Sequence, residues 1–252
     1  MLKALWAILM LWGLSAYADV QIFDYPDYKI YAVQDASNCF PSSLFSSTDP
    51  QERFTQTAKG YPGSVNVFIV EFKDDGKRVM IDTGYGPEKG KLLTEMKKAD
   101  ILPESISDIL ITHIHPDHVG GLQSFPNAKI HIARKEYEAW EKDASRKALS
   151  QCLPVKEALD LFEYGTEVVS GLTALKFAGH TPGHTVFQMK DDCYFVGDIV
   201  HAADLQIVHP SYCARYDMNP EASVASRRKA LKELSGKWFG AHIPFPGQFM
   251  NP

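Results

Sequence analysis

Positive charge is in short supply in this chain: 26 Lys and Arg stand against 31 Asp and Glu, giving a formal net charge of -5. With no cationic field to gather it, a nucleic-acid backbone would be repelled, so a basic-groove nuclease is disfavoured and no nucleic-acid partner is expected. Cysteine is sparse as well. Cys39, Cys152, Cys193 and Cys213 form no C-x-x-C or zinc-ribbon spacing, so a cysteine metal site has little support. Of the three full pairings that four cysteines allow, one disulfide or none is expected. Internal repeats, low-complexity tracts and linkers are not visible. No apolar run reaches the roughly 20 residues that a membrane-spanning helix needs.

The N-terminus instead carries an export signal. Lys3 supplies a positive n-region, Ala4 to Leu14 an apolar core, and Ala16-Tyr17-Ala18 an A-x-A cleavage site. Residues 1–18 are therefore expected to be removed as a signal peptide, leaving Asp19 as the mature N-terminus of a periplasmic or secreted protein with no stable membrane insertion. The remaining 19–252, in a chain that is 45% hydrophobic, suffice for one large catalytic domain.

Apolar patterning places strands and helices along that domain. Val65 to Asp82 reads as a hairpin around Asp74-Asp75-Gly76, where a strand meander begins. Lys91 to Lys98 has helical spacing, and Asp108 to Thr112 is a short buried strand. A strand is expected over Lys129 to Ala133 and a helix over Lys135 to Lys142. Arg146 to Leu161 reads as a helix broken at Pro154, placed to act as a lid. Strands follow at LTALKF, TVFQM and CYFV. Asn219-Pro220 then starts a helix that runs through Leu234 and stops at Gly236, before a last strand, Trp238 to Gly240.

Polar clusters recur just after these strands, where loops meet at one sheet edge. The densest is THIHPDHVGG, with His113, His115, Asp117 and His118 as ligand-type side chains. Residues i and i+2 of an extended strand end project the same way, so His113 and His115 can grip one ion, while the turn at Pro116 carries Asp117 and His118 towards a second. Imidazole and carboxylate both suit zinc and neighbouring divalent metals, which makes the pattern a dinuclear centre. Further ligands must come from elsewhere; His180 in GHTPGHT, Asp198 in FVGDIVH and His242 in GAHIPFPG are the candidates.

Taken in this order, HxHxDH, GHTxGH, GD and a glycine-flanked His resemble the metallo-β-lactamase superfamily across most of the mature chain. The resemblance implies an α/β fold, an αββα sandwich. It also implies one ion on His113, His115 and His180, a second on Asp117, His118 and His242, and Asp198 bridging both. Asp82, in Ile81-Asp82-Thr83-Gly84, would orient the metal loop from behind. The motifs are most similar to the methyl parathion hydrolase branch and N-acyl homoserine lactonases, in which two divalent ions, zinc by preference, ionise a bridging water. Asp117 would orient that nucleophile and shuttle its proton, so Asp117 and Asp198 are the expected catalytic carboxylates. His184 and His201 would support the ligands by hydrogen bonds, and Phe40, Leu44, Phe45 and Phe245 could wall a substrate pocket.

The expected activity is hydrolysis of a small lactone, carboxylic ester or phosphotriester; a homodimer is compatible with this. A lactamase is disfavoured because true β-lactamases lack the bridging Asp. A glyoxalase II-like thioesterase shares the ligand set but carries an additional helical region. A persulfide dioxygenase-like oxidoreductase would use the same fold with one iron, and a non-catalytic metal-binding protein is disfavoured by the complete ligand set. Close relatives continue past GAHxxFPG into another strand, whereas this sequence stops at Gln248 to Pro252, implying a shortened sheet edge or a truncated chain.

Overall fold

A computed structural model describes residues 19–52, 59–143 and 149–252. The expected signal peptide and residues 146–148 of the expected lid lie outside the described residues. The described residues open with two strands not assigned from the apolar patterning, β1 (Val20–Asp24) and β2 (Tyr28–Phe40), paired antiparallel and followed by the short β3 (Phe45–Ser47). The expected hairpin is β4 (Tyr61–Phe72) and β5 (Arg78–Ile81), closed where Gly76, at φ 72°, donates its N–H to the Phe72 carbonyl. Three strands then add in parallel: β6 (Ile106–Ile111), β7 (Lys129–Ala133) and β8 (Leu159–Phe162). Parallel neighbours need crossovers, and these hold α1 (Leu92–Lys98), α2 (Pro116–Val119) and α3 (Arg134–Glu141). The seven-stranded sheet runs β1-β2-β4-β5-β6-β7-β8.

The second sheet opens with β9 (Glu167–Val169), β10 (Leu172–Lys176), β11 (Thr185–Met189) and β12 (Cys193–Gly197). After α4 (Ala203–Gln206), β13 (Tyr212–Ala214) leaves to pair with β3. The helix α5 (Pro220–Glu233) then crosses to β14 (Gly236–Gly240), which lies parallel to β12, and β15 (Gln248–Asn251) forms the edge.

Side chains alternate along the strands and so sort into layers. On β4, Phe68 and Val70 face the second sheet while Val67 and Ile69 face α1; on β6, Leu110 faces inward and Ile109 and Ile111 outward. Phe187, Phe195 and Phe239 meet the inward set from the second sheet, and Val186, Val196 and Trp238 pack outward under α5 with Ala230 and Leu234. Helix, sheet, sheet, helix is the resulting order, the expected αββα sandwich. Both faces of each central strand are covered, which is why these strands read as continuous apolar runs.

One expectation is corrected. The stretch Arg146 to Leu161 is not one broken helix: among described residues it forms 3-10 turns at Leu149–Gln151 and Leu153–Ala158 and ends as β8. Leu149 and Cys152 are buried in the outer cluster with Trp140, so the described part packs on the sheet rather than acting as a lid. After the GAHIPFPG segment, Gln248–Asn251 forms β15, a short strand at the sheet edge, and Asn251 Nδ2 donates to the Leu231 and Leu234 carbonyls at the end of α5. All four cysteines are free. Among the described residues no helix is long and apolar enough to cross a membrane.

The start of α5 follows the expected chemistry: Asn219 Oδ1 accepts from Ala222 N at 3.0 Å, with Pro220 in the first turn. Asn219→Ala should cost about 1 kcal/mol in denaturant unfolding with the slope unchanged. Activity should persist, since the bond from Asn219 N to Gly179 O beside the site is main-chain and survives the change.

Candidate metal centre

Every ligand-type cluster sits on loops at one edge of the two sheets. The loop after β6 is fixed from below by Asp82, which follows β5 at φ 60°. Its Oδ1 accepts from Thr112 N and its Oδ2 from Thr112 Oγ1, both at 2.8 Å, while Thr112 O accepts from Thr185 N on β11. His113 and His115 thus leave an extended strand end, and α2 begins at Pro116, turning Asp117 and His118 to their own side. Gly120 and Gly121 allow this turn to press against the carbonyls of Tyr85 and Thr83, which any Cβ there would strike.

His115 Nδ1 lies 3.0 Å from both His113 Nε2 and His180 Nε2. One N–H cannot serve both neighbours, but nitrogens sharing one ion at about 2.0–2.1 Å must lie about 3 Å apart. On the other side, His242 Nε2 lies 3.4 Å from Asp117 Oδ2 and His118 Nε2 lies 3.9 Å from Asp117 Oδ1. Asp198 stands between the groups: Oδ1 is 3.2 Å from His118 Nε2, while Oδ2 is 3.2 Å from His180 Nε2 and 3.1 Å from His242 Nε2. His113, His115, His180 and Asp198 can hold one cation and Asp117, His118 and His242 another; Asp198, His201 and His242 form an overlapping third set. Buried and without hydrogen-bond partners are His118 Nε2, Asp198 Oδ1 and both ring nitrogens of His201. The approaches of His118 and His201 to Asp198 at 3.2 Å lie off the hydrogen-bonding direction.

Oxygen acceptors behind the rings aim them inward. His118 Nδ1 lies 2.8 Å from Asp82 Oδ2, His180 Nδ1 2.9 Å from Asp217 Oδ1, His242 Nδ1 2.8 Å from the Ser64 carbonyl, and His113 Nδ1 3.0 Å from Thr112 Oγ1. A proton placed on Nδ1 leaves the Nε2 lone pair facing the centre. Burial favours the neutral acid for Asp198, but His242, His118 and His113 hold it well below the usual carboxylate range. Burial likewise opposes charge on Asp217, yet the His180 hydrogen bond brings it to about 2. Burial would deprotonate His180, and Asp198 and Asp217 overcome it, raising it to about 9. His115 drops to about 3 through burial and the neighbouring His180. Anionic carboxylates surrounded by neutral imidazole lone pairs form a donor set suited to divalent cations, which can replace the protons on His118, His180 and His242.

His184 sits behind Asp198, its Nε2 accepting from Asp198 N at 3.0 Å. A side chain at Gly197, φ 50°, would strike that ring. Asp217 and Glu136 did not stand out in the sequence. Glu136 on α3 is fully buried; Oε1 accepts from Ile114 N at 2.9 Å and Trp140 Nε1 at 2.7 Å, Oε2 from Thr181 Oγ1 at 2.8 Å and Gly183 N at 2.7 Å. It clamps the His113–His115 loop to the loop bearing His180.

A cleft of about 300 Å³ opens over the centre, lined by Asn38, Phe40, Tyr85 and Tyr216 besides ligand-type residues and His201. Of the four expected wall residues only Phe40 lines it. Leu44 and Phe45 pack behind Phe40, and Phe245 packs with the core between the sheets, because burial against Phe40 or the inner sheet faces takes up their apolar surface.

The family model of the metallo-beta-lactamase superfamily matches residues 60–242, which include all seven expected ligands. An N-acyl homoserine lactonase of Bacillus sp is 35% identical over 97 residues, 38% of this chain and 38% of the lactonase. YobT, an uncharacterised protein of Bacillus subtilis strain 168, is 29% identical over 49% of this chain and 56% of its own. These matches thus span well under two thirds of the relatives. The crystal structure of AbOPH, a hydrolase of the beta lactamase superfamily, superposes with a TM-score of 0.80 at 26% identity over 93% of both chains. AidC, a dizinc quorum-quenching lactonase solved with a product, N-hexnoyl-L-homoserine, has a TM-score of 0.79 at 24% identity, covering 92% of this chain and 93% of its own; this likeness is one of fold.

Proposed function

Because the chain belongs to the metallo-beta-lactamase superfamily, we propose that it is a dinuclear metal-dependent hydrolase of small lactones, carboxylic esters or phosphotriesters. The observation that carries this is the pair of ligand clusters meeting at one buried carboxylate, Asp198, beneath an open cleft. His113, His115 and His180 would hold one ion, Asp117, His118 and His242 the other, and Asp198 both. A pair of divalent ions held there supplies Lewis acidity and makes water nucleophilic near neutral pH. Asp117, a fifth exposed at its side chain and lining the cleft, orients the attacking water and takes up its proton on a carboxylate oxygen. Phe40 excludes water from one wall, packing edge-on against His242 with ring centroids 5.5 Å apart. With no cationic field to draw anions, neutral substrates with apolar groups are favoured. Named lactonases among the relatives support the lactone class.

Imidazole and carboxylate donors suit zinc. Elemental analysis of gently purified protein should find close to two divalent ions per chain, and a saturated preparation holding one would overturn the dinuclear assignment. On metal-loaded protein, a panel of lactones, aryl esters, phosphotriesters and nitrocefin should give its highest kcat/KM on a lactone or aryl ester, with the β-lactam hydrolysed negligibly. Highest activity on nitrocefin would refute the substrate class. We further propose export to the periplasm or beyond, supported by the A-x-A site before Asp19 and by the ties of Asp19 to Lys91 and Gln34. The mature protein should begin at Asp19 by intact mass.

A further inference from the structure

Three basic residues in a row, Arg227-Arg228-Lys229, lie on α5, and the first of them turns inward: Arg227 is 0% exposed, while Arg228 and Lys229 face solvent. A guanidinium leaves water only where acceptors meet it. Nε donates to the Ile199 carbonyl at 2.7 Å, and Nη1 to the carbonyls of Pro210 at 2.8 Å and Tyr212 at 2.7 Å. Nη2 donates to Ser223 Oγ at 3.3 Å and faces Asp217 Oδ2 at 3.7 Å. Carbonyls fix the guanidinium but leave its charge uncompensated. Cys213 beside it does not compensate it either, since burial pushes that thiol up to about 11 and keeps it neutral. The counter-charge is therefore Asp217, the largest influence opposing the effect of burial on Arg227.

Asp217 looks the other way as well. Its side chain is fully buried, with Oδ1 2.9 Å from His180 Nδ1 while Oδ2 accepts from Ala214 N at 3.0 Å. An imidazole that holds an ion through Nε2 keeps a single N–H, on Nδ1, and carries no charge of its own to offset the carboxylate behind it. A buried carboxylate is costly unless a positive charge faces it. Arg227 faces it from the second oxygen, so the line runs Arg227, Asp217, His180. A purely structural role for Arg227, tying Ile199 to Tyr212, is the competing explanation, and it predicts no preference between the two ions.

We propose that Arg227 is a positioning residue for the ion on His113, His115 and His180: as the buried counter-charge of Asp217, it holds that carboxylate against His180 Nδ1 and so keeps Nε2 aimed at the ion. This rests on the dinuclear metal centre proposed above. Its effect is on metal affinity and reaches turnover only through the ion. The ion on Asp117, His118 and His242 has other acceptors behind its rings, Asp82 and the Ser64 carbonyl, and lies outside this line.

Charge and packing are separated by three variants. Arg227→Met removes the cation and keeps an unbranched chain, Arg227→Lys keeps a cation with fewer donors, and Arg227→Met combined with Asp217→Asn leaves neither charge unpaired. Competitive chelator titration with zinc and with cobalt(II) reads the affinity of each ion, the cobalt absorption bands report the ligand field at each, and His180→Ala marks which ion is which. Asp217→Asn should weaken the ion on His180 about 10-fold to 100-fold and leave the other within a few-fold. Arg227→Met should weaken the same ion about 10-fold. Arg227→Lys should stay within a few-fold of wild type, although both Arg227 variants unfold at lower denaturant. In the Asp217→Asn background, adding Arg227→Met should cost no further affinity, because Asp217 is the conduit. Unchanged affinity in Arg227→Met, equal weakening of both ions, further loss in the double variant, or a loss in Arg227→Lys as large as in Arg227→Met overturns the proposal. Should Arg227→Met not fold, the comparison of Asp217→Asn with the double variant decides alone. A wild type that holds two ions but hydrolyses nothing in the panel refutes the hydrolase function and leaves this test intact, since affinity and not turnover is read; one that binds no divalent ion refutes both.

Discussion

Asp198→Ala is expected to lower kcat/KM by about 10³-fold or more, at least ~4 kcal/mol of transition-state stabilisation at about 1.4 kcal/mol per tenfold. The carboxylate is 2% exposed and approaches Nε2 of His118, His180 and His242 within 3.2 Å, which places it to serve both clusters. Removing it leaves imidazoles of both groups without their shared anion, and metal content should fall with activity. His184→Ala makes the matching control. His184 touches Asp198 only through the main-chain N–H, at 3.0 Å, so its loss should tilt the carboxylate and cost about 10-fold to 100-fold. Measuring kcat/KM and bound metal on both variants decides the matter. Equal or reversed losses at preserved metal content would mean that Asp198 is not the shared group.

The contrast between these two residues shows what a sequence can carry. His113, His115, Asp117 and His118 fall within six positions at a strand end, so their convergence follows from the two-residue repeat of a strand and a single turn at Pro116. His180, Asp198 and His242 are legible only as a set, because each stands alone after its strand. Asp217 and Glu136 are not legible. Asp217 lies 37 residues beyond His180, next to the Asn219 cap, where a carboxylate is ordinary, and only the packing of α5 brings it to the ring. Glu136 sits in the first turn of a charged helix, where a surface position is the default. Tertiary pairing also explains the misread strand: Leu159 to Phe162 is half-buried at a sheet edge, and its pairing with β7, not its own periodicity, makes it β8. The pair β1 and β2 does carry a signal, since Tyr28, Ile30 and Ala32 alternate with Tyr31 and Val33 between the inner and outer cores after the Pro26-Asp27 turn.

Glu136 also gives the second large expected effect. Glu136→Ala removes the acceptor of four donors at once: Ile114 N, Trp140 Nε1, Thr181 Oγ1 and Gly183 N. Each buried group left unpaired costs about 1–3 kcal/mol. Water can re-satisfy some of them in the space opened, so a net loss of about 4 kcal/mol is expected, a large share of the roughly 5–15 kcal/mol that holds a domain folded. Glu136→Gln should cost less, about 1–2 kcal/mol. Its amide oxygen can still serve one pair of donors and the Thr181 hydroxyl can turn to accept, but a main-chain N–H such as that of Gly183 cannot. The damage should also reach the ions unevenly. Ile114 lies between His113 and His115, and Thr181 and Gly183 lie one and three residues after His180, so the ion on those three histidines should bind about 10-fold to 100-fold more weakly while the ion on Asp117, His118 and His242 is held nearly as before. Denaturant unfolding of chelated protein reads the first effect and competitive metal titration the second. Glu136→Ala unfolding at the wild-type midpoint, or losing both ions in parallel, would show that the carboxylate does not clamp these loops together.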